Sequence, residues 1–131
     1  MTKMGDKVAA RARRLVGVRF RPQGRSVETG LDCIGLAALA VRAKDVRRDY
    51  ALRGGTAEEL FAGFRAANMR PVKASIPGDV LVLRPGVAQL HLAIVTNGGF
   101  VHADAGARRV VETPGRPDWP VIAVWRKRAR G

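Results

Sequence analysis

The segment Ile34-Gly-Leu-Ala-Ala-Leu-Ala-Val41 constrains this chain most, because it is built of good helix formers yet is apolar on every side. A helix of that kind has no face to give to water, so other elements must pack all around it. Upstream, Val8, Ala12, Leu15 and Val16 recur at helical spacing between Asp6 and Val16, and Gly17 follows as a stop. Downstream, Thr56-Ala-Glu-Glu59 has the form of a capping box, and Leu60, Phe61, Phe64 and Ala67 continue a helical stripe before Pro71. A third helix is expected over 56–67. The stretch 18–31 mixes Pro22, Gly24, Ser26 and Gly30 with arginines without a steady period, so it reads as a structured loop. Gly54-Gly55 reads as a turn before the third helix, since a phosphate loop would need a Walker lysine and a preceding strand.

After Pro77-Gly78 the texture changes to short β-branched runs over 79–83, 90–96, 100–105, 109–113 and 121–126. Helices first and strands second predict an α+β domain spanning 1–131, with N-terminal helices packed on an antiparallel sheet of about five strands. Asn97-Gly98 signals a two-residue hairpin turn of type I′, with positive φ at both central positions. With that turn, Thr96 pairs with Gly99, Ala93 with His102 and His91 with Asp104. The two histidines of the chain then project from one face on a diagonal of roughly 7–8 Å, within reach of their rings. A three-residue loop would put them on opposite faces.

The single cysteine, Cys33, stands with Asp32 at the start of the apolar helix. Free amides and the helix dipole there favour a thiolate and lower its pKa. A buried small hydrophobe is the bland alternative. A nucleophile needs a base within reach and a third group to orient that base, and Cys33, His91 and His102 could supply all three. His91, between Leu90 and Leu92, could equally be a satisfied core histidine. One cysteine cannot form an internal disulfide, and the spacing of Cys33, His91 and His102 lacks the close ligand pairs of common zinc sites.

A net charge of +13 favours polyanions at low salt. No helix carries the sustained basic face of a groove reader, so no specific nucleic-acid partner is expected. Arg126, Lys127, Arg128 and Arg130 read as a solvated, frayed basic tail over 126–131, and Trp119 and Trp125 as core anchors at strand ends. The longest apolar run falls far short of the roughly 20 residues that cross a bilayer, so no membrane span is expected. Basic residues near the N-terminus are followed by no apolar h-region, so no secretory signal is read there.

Five stretches in order resemble the NlpC-type family of bacterial cell-wall cysteine peptidases. They are Gly17-Val-Arg-Phe-Arg-Pro-Gln-Gly-Arg25, Gly30-Leu-Asp-Cys-Ile-Gly-Leu36, Pro77-Gly-Asp-Val-Leu81, His91-Leu-Ala-Ile-Val95 and Phe100-Val-His-Ala103. The resemblance implies a reduced papain-like fold and no cofactor. It implies Cys33 as nucleophile, His91 as base, His102 as third member and Asp32 as a residue shaping the substrate site. Its substrates would be peptidoglycan stem peptides or muropeptides, often cut between D-glutamate and a diamino acid. Two positions depart from the family pattern. Phe20 replaces a tyrosine whose hydroxyl helps at the oxyanion, which leaves the Cys33 amide with Gln23 or Arg21 as donors. Ile34 replaces a serine, as in versions carried by phage tails and gene-transfer particles. The resemblance therefore implies an enzyme made in the cytoplasm and delivered to the wall by a phage-like particle, or one acting on recycled muropeptides. A non-catalytic wall-binding or tail-assembly part with the same fold is the alternative.

Overall fold

The computed structural model describes residues 3–44 and 56–129. Gly54-Gly55 and the Arg130 end of the basic run lie outside the described residues. Helix α1 spans Lys3–Arg14, with Asp6 in its first turn and Arg11, Arg13 and Arg14 in its last, charges that complement the helix dipole. It starts and stops earlier than the periodicity implied, leaving Val16 exposed in the following turn. Helix α2 spans Cys33–Val41, and all but two of its residues are buried. Arg11 Nε donates to the Ala40 carbonyl (2.7 Å) and ties the two helices together. Helix α3 spans Ala57–Ala66 and is capped as expected, with Thr56 Oγ1 accepting from the Glu59 amide.

The loop expected over 18–31 holds a two-stranded ribbon, β1 (Arg25–Ser26) and β2 (Gly30–Leu31). The main sheet has six strands rather than five: β3 (Met69–Val72), β4 (Val80–Gly86), β5 (Gln89–Thr96), β6 (Gly99–Asp104), β7 (Arg109–Pro114) and β8 (Val121–Lys127). Their order is β3-β8-β4-β5-β6-β7, with every neighbouring pair antiparallel. The extra strand, β3, contains Pro71, which an edge strand tolerates because one side of it is unpaired. Helix stripes and strand alternation meet in one core in which Val8, Leu36, Val80, Leu92, Ile94 and Trp125 pack together. A smaller cluster of Leu81, Leu83, Ala93 and Phe100 covers the other face of the sheet.

Arg126 and Lys127, at the start of the basic C-terminal run, are not frayed. Arg126 and Lys127 belong to β8, and Arg126 grips the fully buried Asp79 through Nε (2.8 Å) and Nη2 (2.9 Å). The Ile76 amide donates to the same carboxylate at 2.9 Å, so the Pro77-Gly-Asp turn is locked to the last strand. Gly78 has φ +95°, and a Cβ there would sit 2.2 Å from the Gly5 carbonyl oxygen, so α1 packs directly on that turn.

Candidate active site

Asp32 organises the entrance to α2. Its Oδ1 caps the helix by accepting from the Gly35 amide (2.8 Å) and also accepts from Arg25 Nη1 (2.8 Å). Its Oδ2 accepts from the Gln23 amide (3.1 Å), which holds Gln23 in the left-handed region at φ +59°. A non-glycine residue held there stores strain of about 1–3 kcal/mol. Close approach of backbone completes the lock, since a Cβ on Gly35 would stand 2.1 Å from the Gly24 carbonyl oxygen. Cys33 is thus presented from a rigid corner, 2% exposed.

The hairpin carries the imidazoles. Thr96 pairs with Gly99, Val95 with Phe100 and Ile94 with Val101, the register expected for a two-residue turn. Only Gly98 has positive φ (+88°), however, so the turn follows type II in this respect and not type I′. The register survives because it depends on loop length. Beyond Ile94 and Val101 the described pairing ends, and there His91 Nε2 lies 2.9 Å from His102 Nδ1 with the rings nearly perpendicular.

The backbone of Leu92, the residue after His91, acts on the Cys33 sulfur in favour of its thiolate. Cys33, His91 and His102 together line an open cleft of about 540 Å3, with Phe20, Gln23 and Trp119 around them. Arg21 is exposed and is not among the lining residues. A bond between two ring nitrogens needs one donor and one acceptor. With the proton on His91 Nε2, His102 Nδ1 accepts and the His91 Nδ1 lone pair remains available to a thiol.

The electrostatics differ from the expectation for a helix-start cysteine. Burial and the neighbouring Asp32 carboxylate push the Cys33 thiol up to about 12, outweighing the amides of Leu92 and of Cys33 itself. Burial and the adjacent His102 push His91 down to about 4. His102 is lowered as well, by burial, against the pull of Asp104. At neutral pH the cleft therefore holds a neutral thiol and a neutral imidazole pair. Among the described residues no group of three or more His, Cys, Asp or Glu side chains is arranged to hold a metal ion, and no helix is long and apolar enough to cross a membrane.

No known family model matches this sequence, and no curated protein matches it. Solved structures do match. NlpC2 from Trichomonas vaginalis is 17% identical with a TM-score of 0.68, covering 97% of this chain and 47% of that one. NlpC1 from the same organism is 18% identical with a TM-score of 0.63, covering 94% of this chain and 43% of that one. A P60 domain of an antigen from M. avium subspecies paratuberculosis is 21% identical with a TM-score of 0.64, covering 95% of this chain and 94% of that one. The chain has the NlpC/p60 fold. It spans about half the length of the two Trichomonas proteins. The NlpC/p60 domain of the peptidoglycan hydrolase SagA also matches, at 22% identity and a TM-score of 0.56, covering 84% of this chain and 88% of that one.

Within this NlpC/p60 fold, Trp119 is the residue that sequence reasoning misplaced. Trp125 is a core anchor as expected, 2% exposed, but Trp119 is 37% exposed and stands edge-on to both His91 (5.4 Å) and His102 (6.0 Å). Its place depends on the loop before β8, which carries no periodic signal. A separate apolar pocket of about 190 Å3 between α2 and α3 is lined by Ile34, Phe64 and Met69 among others, but by no cysteine, histidine, serine or carboxylate.

Proposed function

We propose that the protein is a cysteine peptidase that hydrolyses amide bonds in peptidoglycan stem peptides. The observation that carries this reading is the shared cleft, in which the buried thiol of Cys33 lies against the β5 backbone beside His91 and His102 braces the His91 ring. The matched SagA structure is named as part of a peptidoglycan hydrolase, which supports the substrate class. The D-glutamyl-diamino acid bond is the proposed point of cleavage.

In this mechanism the Cys33 sulfur attacks the scissile carbonyl carbon as its proton passes to His91 Nδ1, so that proton transfer accompanies bond formation. A neutral resting pair requires this order, since neither ion exists beforehand at neutral pH. The His91 imidazolium then returns the proton to the leaving nitrogen as the C–N bond breaks. Water, activated by the same imidazole, cleaves the thioester and frees the acid. His102 accepts the His91 Nε2 proton in a hydrogen bond throughout and so fixes the tautomer. The Cys33 amide and the Gln23 side chain are the proposed oxyanion donors, because Phe20 has no hydroxyl to offer and Arg21 stands outside the cleft lining. A phage-like particle is the proposed carrier of the enzyme to the wall.

Incubation of defined muropeptides with the wild type and with Cys33→Ala, read by mass spectrometry, tests the proposal. The wild type should release two fragments and the variant none, with its fold unchanged. Equal cleavage by both would remove Cys33 from the chemistry.

A second reading is favoured by the same electrostatics: a buried thiol held neutral, with Phe20 beside it, suits a non-catalytic wall-binding or tail-assembly part. It predicts muropeptide binding without turnover by the wild type.

A further inference from the structure

The cleft differs in charge from the rest of the molecule. Lysine and arginine outnumber aspartate and glutamate by 24 to 11 along the chain, yet the residues lining the cleft include two carboxylates, Asp32 and Asp104, and no lysine or arginine. Clefts lined by one sign of charge focus their field inward, so this one favours a cation although the outer surface repels it. The two carboxylates are not equivalent. Asp32 is committed to the fold, accepting from the Gly35 and Gln23 amides and from Arg25. Asp104 is half-buried and accepts one hydrogen bond, at Oδ1 from the Gly106 amide (2.9 Å). That bond fixes the side chain on the turn after β6, and no described residue donates to Oδ2. Arg109 is directly opposite in β7, where an ion pair would be favourable, but none joins the two, and Arg109 Nε donates to the Ala107 carbonyl (3.4 Å) instead.

The position of Asp104 decides which end of a substrate it meets. It shares a face of β6 with His102, since strand side chains alternate. Burial lowers both His91 and His102, and the Asp104 charge works against that lowering on each ring, so the carboxylate stands close to the pair. In the reaction proposed above, His91 returns its proton to the leaving nitrogen. The residue that carries this nitrogen has to sit on the imidazole side of the cleft, away from Asp32, which precedes the thiol. For the proposed bond that residue is the diamino acid, whose second amino group ends a long flexible side chain.

We infer that Asp104 is a specificity-determining residue that receives the side-chain ammonium of the diamino acid on the leaving side of the scissile bond. The inference rests on the peptidase reading and deepens it, because it names the substrate group that the cleft selects. An ammonium placed there gives the open Oδ2 a charge-assisted hydrogen bond, about twice as strong as a neutral one. The binding it describes does not need turnover.

The test uses three stem peptides with lysine as the diamino acid: one with both amines free, one acetylated at the lysine side chain and one acetylated at the N-terminal amine. With the wild type, acetylating the side chain should lower kcat/KM about tenfold or more, the size of one lost charge-assisted bond, and acetylating the N-terminus should not. The ratio between the free and the side-chain-acetylated peptide should fall towards one in Asp104→Asn and be largely retained in Asp104→Glu. Because the ratio compares two peptides on one protein, a general weakening of the fold or of the imidazole pair cancels from it. A wild-type ratio near one, a preference that persists in Asp104→Asn, or a preference for the N-terminal amine alone overturns the inference. If the wild type cleaves none of the peptides, the peptidase reading fails, and binding of the same peptides decides the inference. Tighter binding of the free side chain that is lost in Asp104→Asn supports the ammonium site, and indifference to acetylation overturns it.

Discussion

Two buried polar corners of this molecule use the same kinds of atoms to opposite ends. At the Asp79 corner both carboxylate oxygens are taken up by Arg126, and the Ile76 amide adds a further bond, so the turn before β4 is welded to β8. At the cleft, a buried thiol, the buried His102 and the half-buried His91 have fewer internal partners than they can use. His91 Nδ1 is free under the tautomer argued above, His102 meets His91 and two aromatic rings, and a half-open tryptophan covers both. A saturated corner resists change in every state. An unsaturated one waits for a ligand.

That contrast can be broken by substitution. Arg126→Ala leaves the Asp79 charge buried and unpaired, so unfolding in denaturant should show a loss of about 3–5 kcal/mol, while the remaining folded protein keeps its kcat/KM. His91→Ala should do the reverse, lowering kcat/KM about 10²–10⁴-fold with little change in melting temperature. If Arg126→Ala lost activity in its folded fraction, the two corners would not be separable.

The pH dependence sharpens the same distinction. Because His91 must be neutral to accept a proton and is held down to about 4, kcat/KM should keep its value through pH 6 and fall only near pH 4. Stability follows a related rule. The unfolded His91 binds its proton near 6.5 and the folded one only near 4, so its contribution is complete above about 6.5 and is lost as pH falls through that interval. Cys33 acts at the other end, since its folded pKa of about 12 lies above the ordinary 9.0, and stability should decline as pH rises between those values. Melting temperatures across the pH range would show both slopes. The smallest expected effect belongs to Trp119→Ala, which admits water to the imidazoles and should raise the acid limb of kcat/KM toward the ordinary histidine range with a modest loss of rate.

What could be read from the chain alone was the part fixed by local patterns. The apolar run after Cys33, the cap at Thr56 and the two-residue spacing at Asn97-Gly98 each act over a few residues, and they placed α2, α3 and the histidine hairpin. The register of that hairpin brought His91 and His102 within bonding distance even though the turn type differed. The rest depended on contacts distant in sequence. Pro71 looked like a helix stop and became an edge strand because β8 returned to pair with it. Arg126 looked solvated until Asp79, 47 residues away, took it up. The Cys33 thiol shows the limit most clearly: its helix-start position argues for an acidic thiol, and burial in the assembled core, with the Asp32 carboxylate beside it, reverses the sign.

The most direct measurement labels the nucleophile. A stem-peptide analogue carrying a chloromethyl ketone at the scissile position, which alkylates sulfur with loss of chloride, incubated near neutral pH and followed by peptide mapping, should modify Cys33 in the wild type and leave His91→Ala unmodified. Labelling at an equal rate in both proteins would show a cysteine that reacts without help from its neighbour, and would contradict the account.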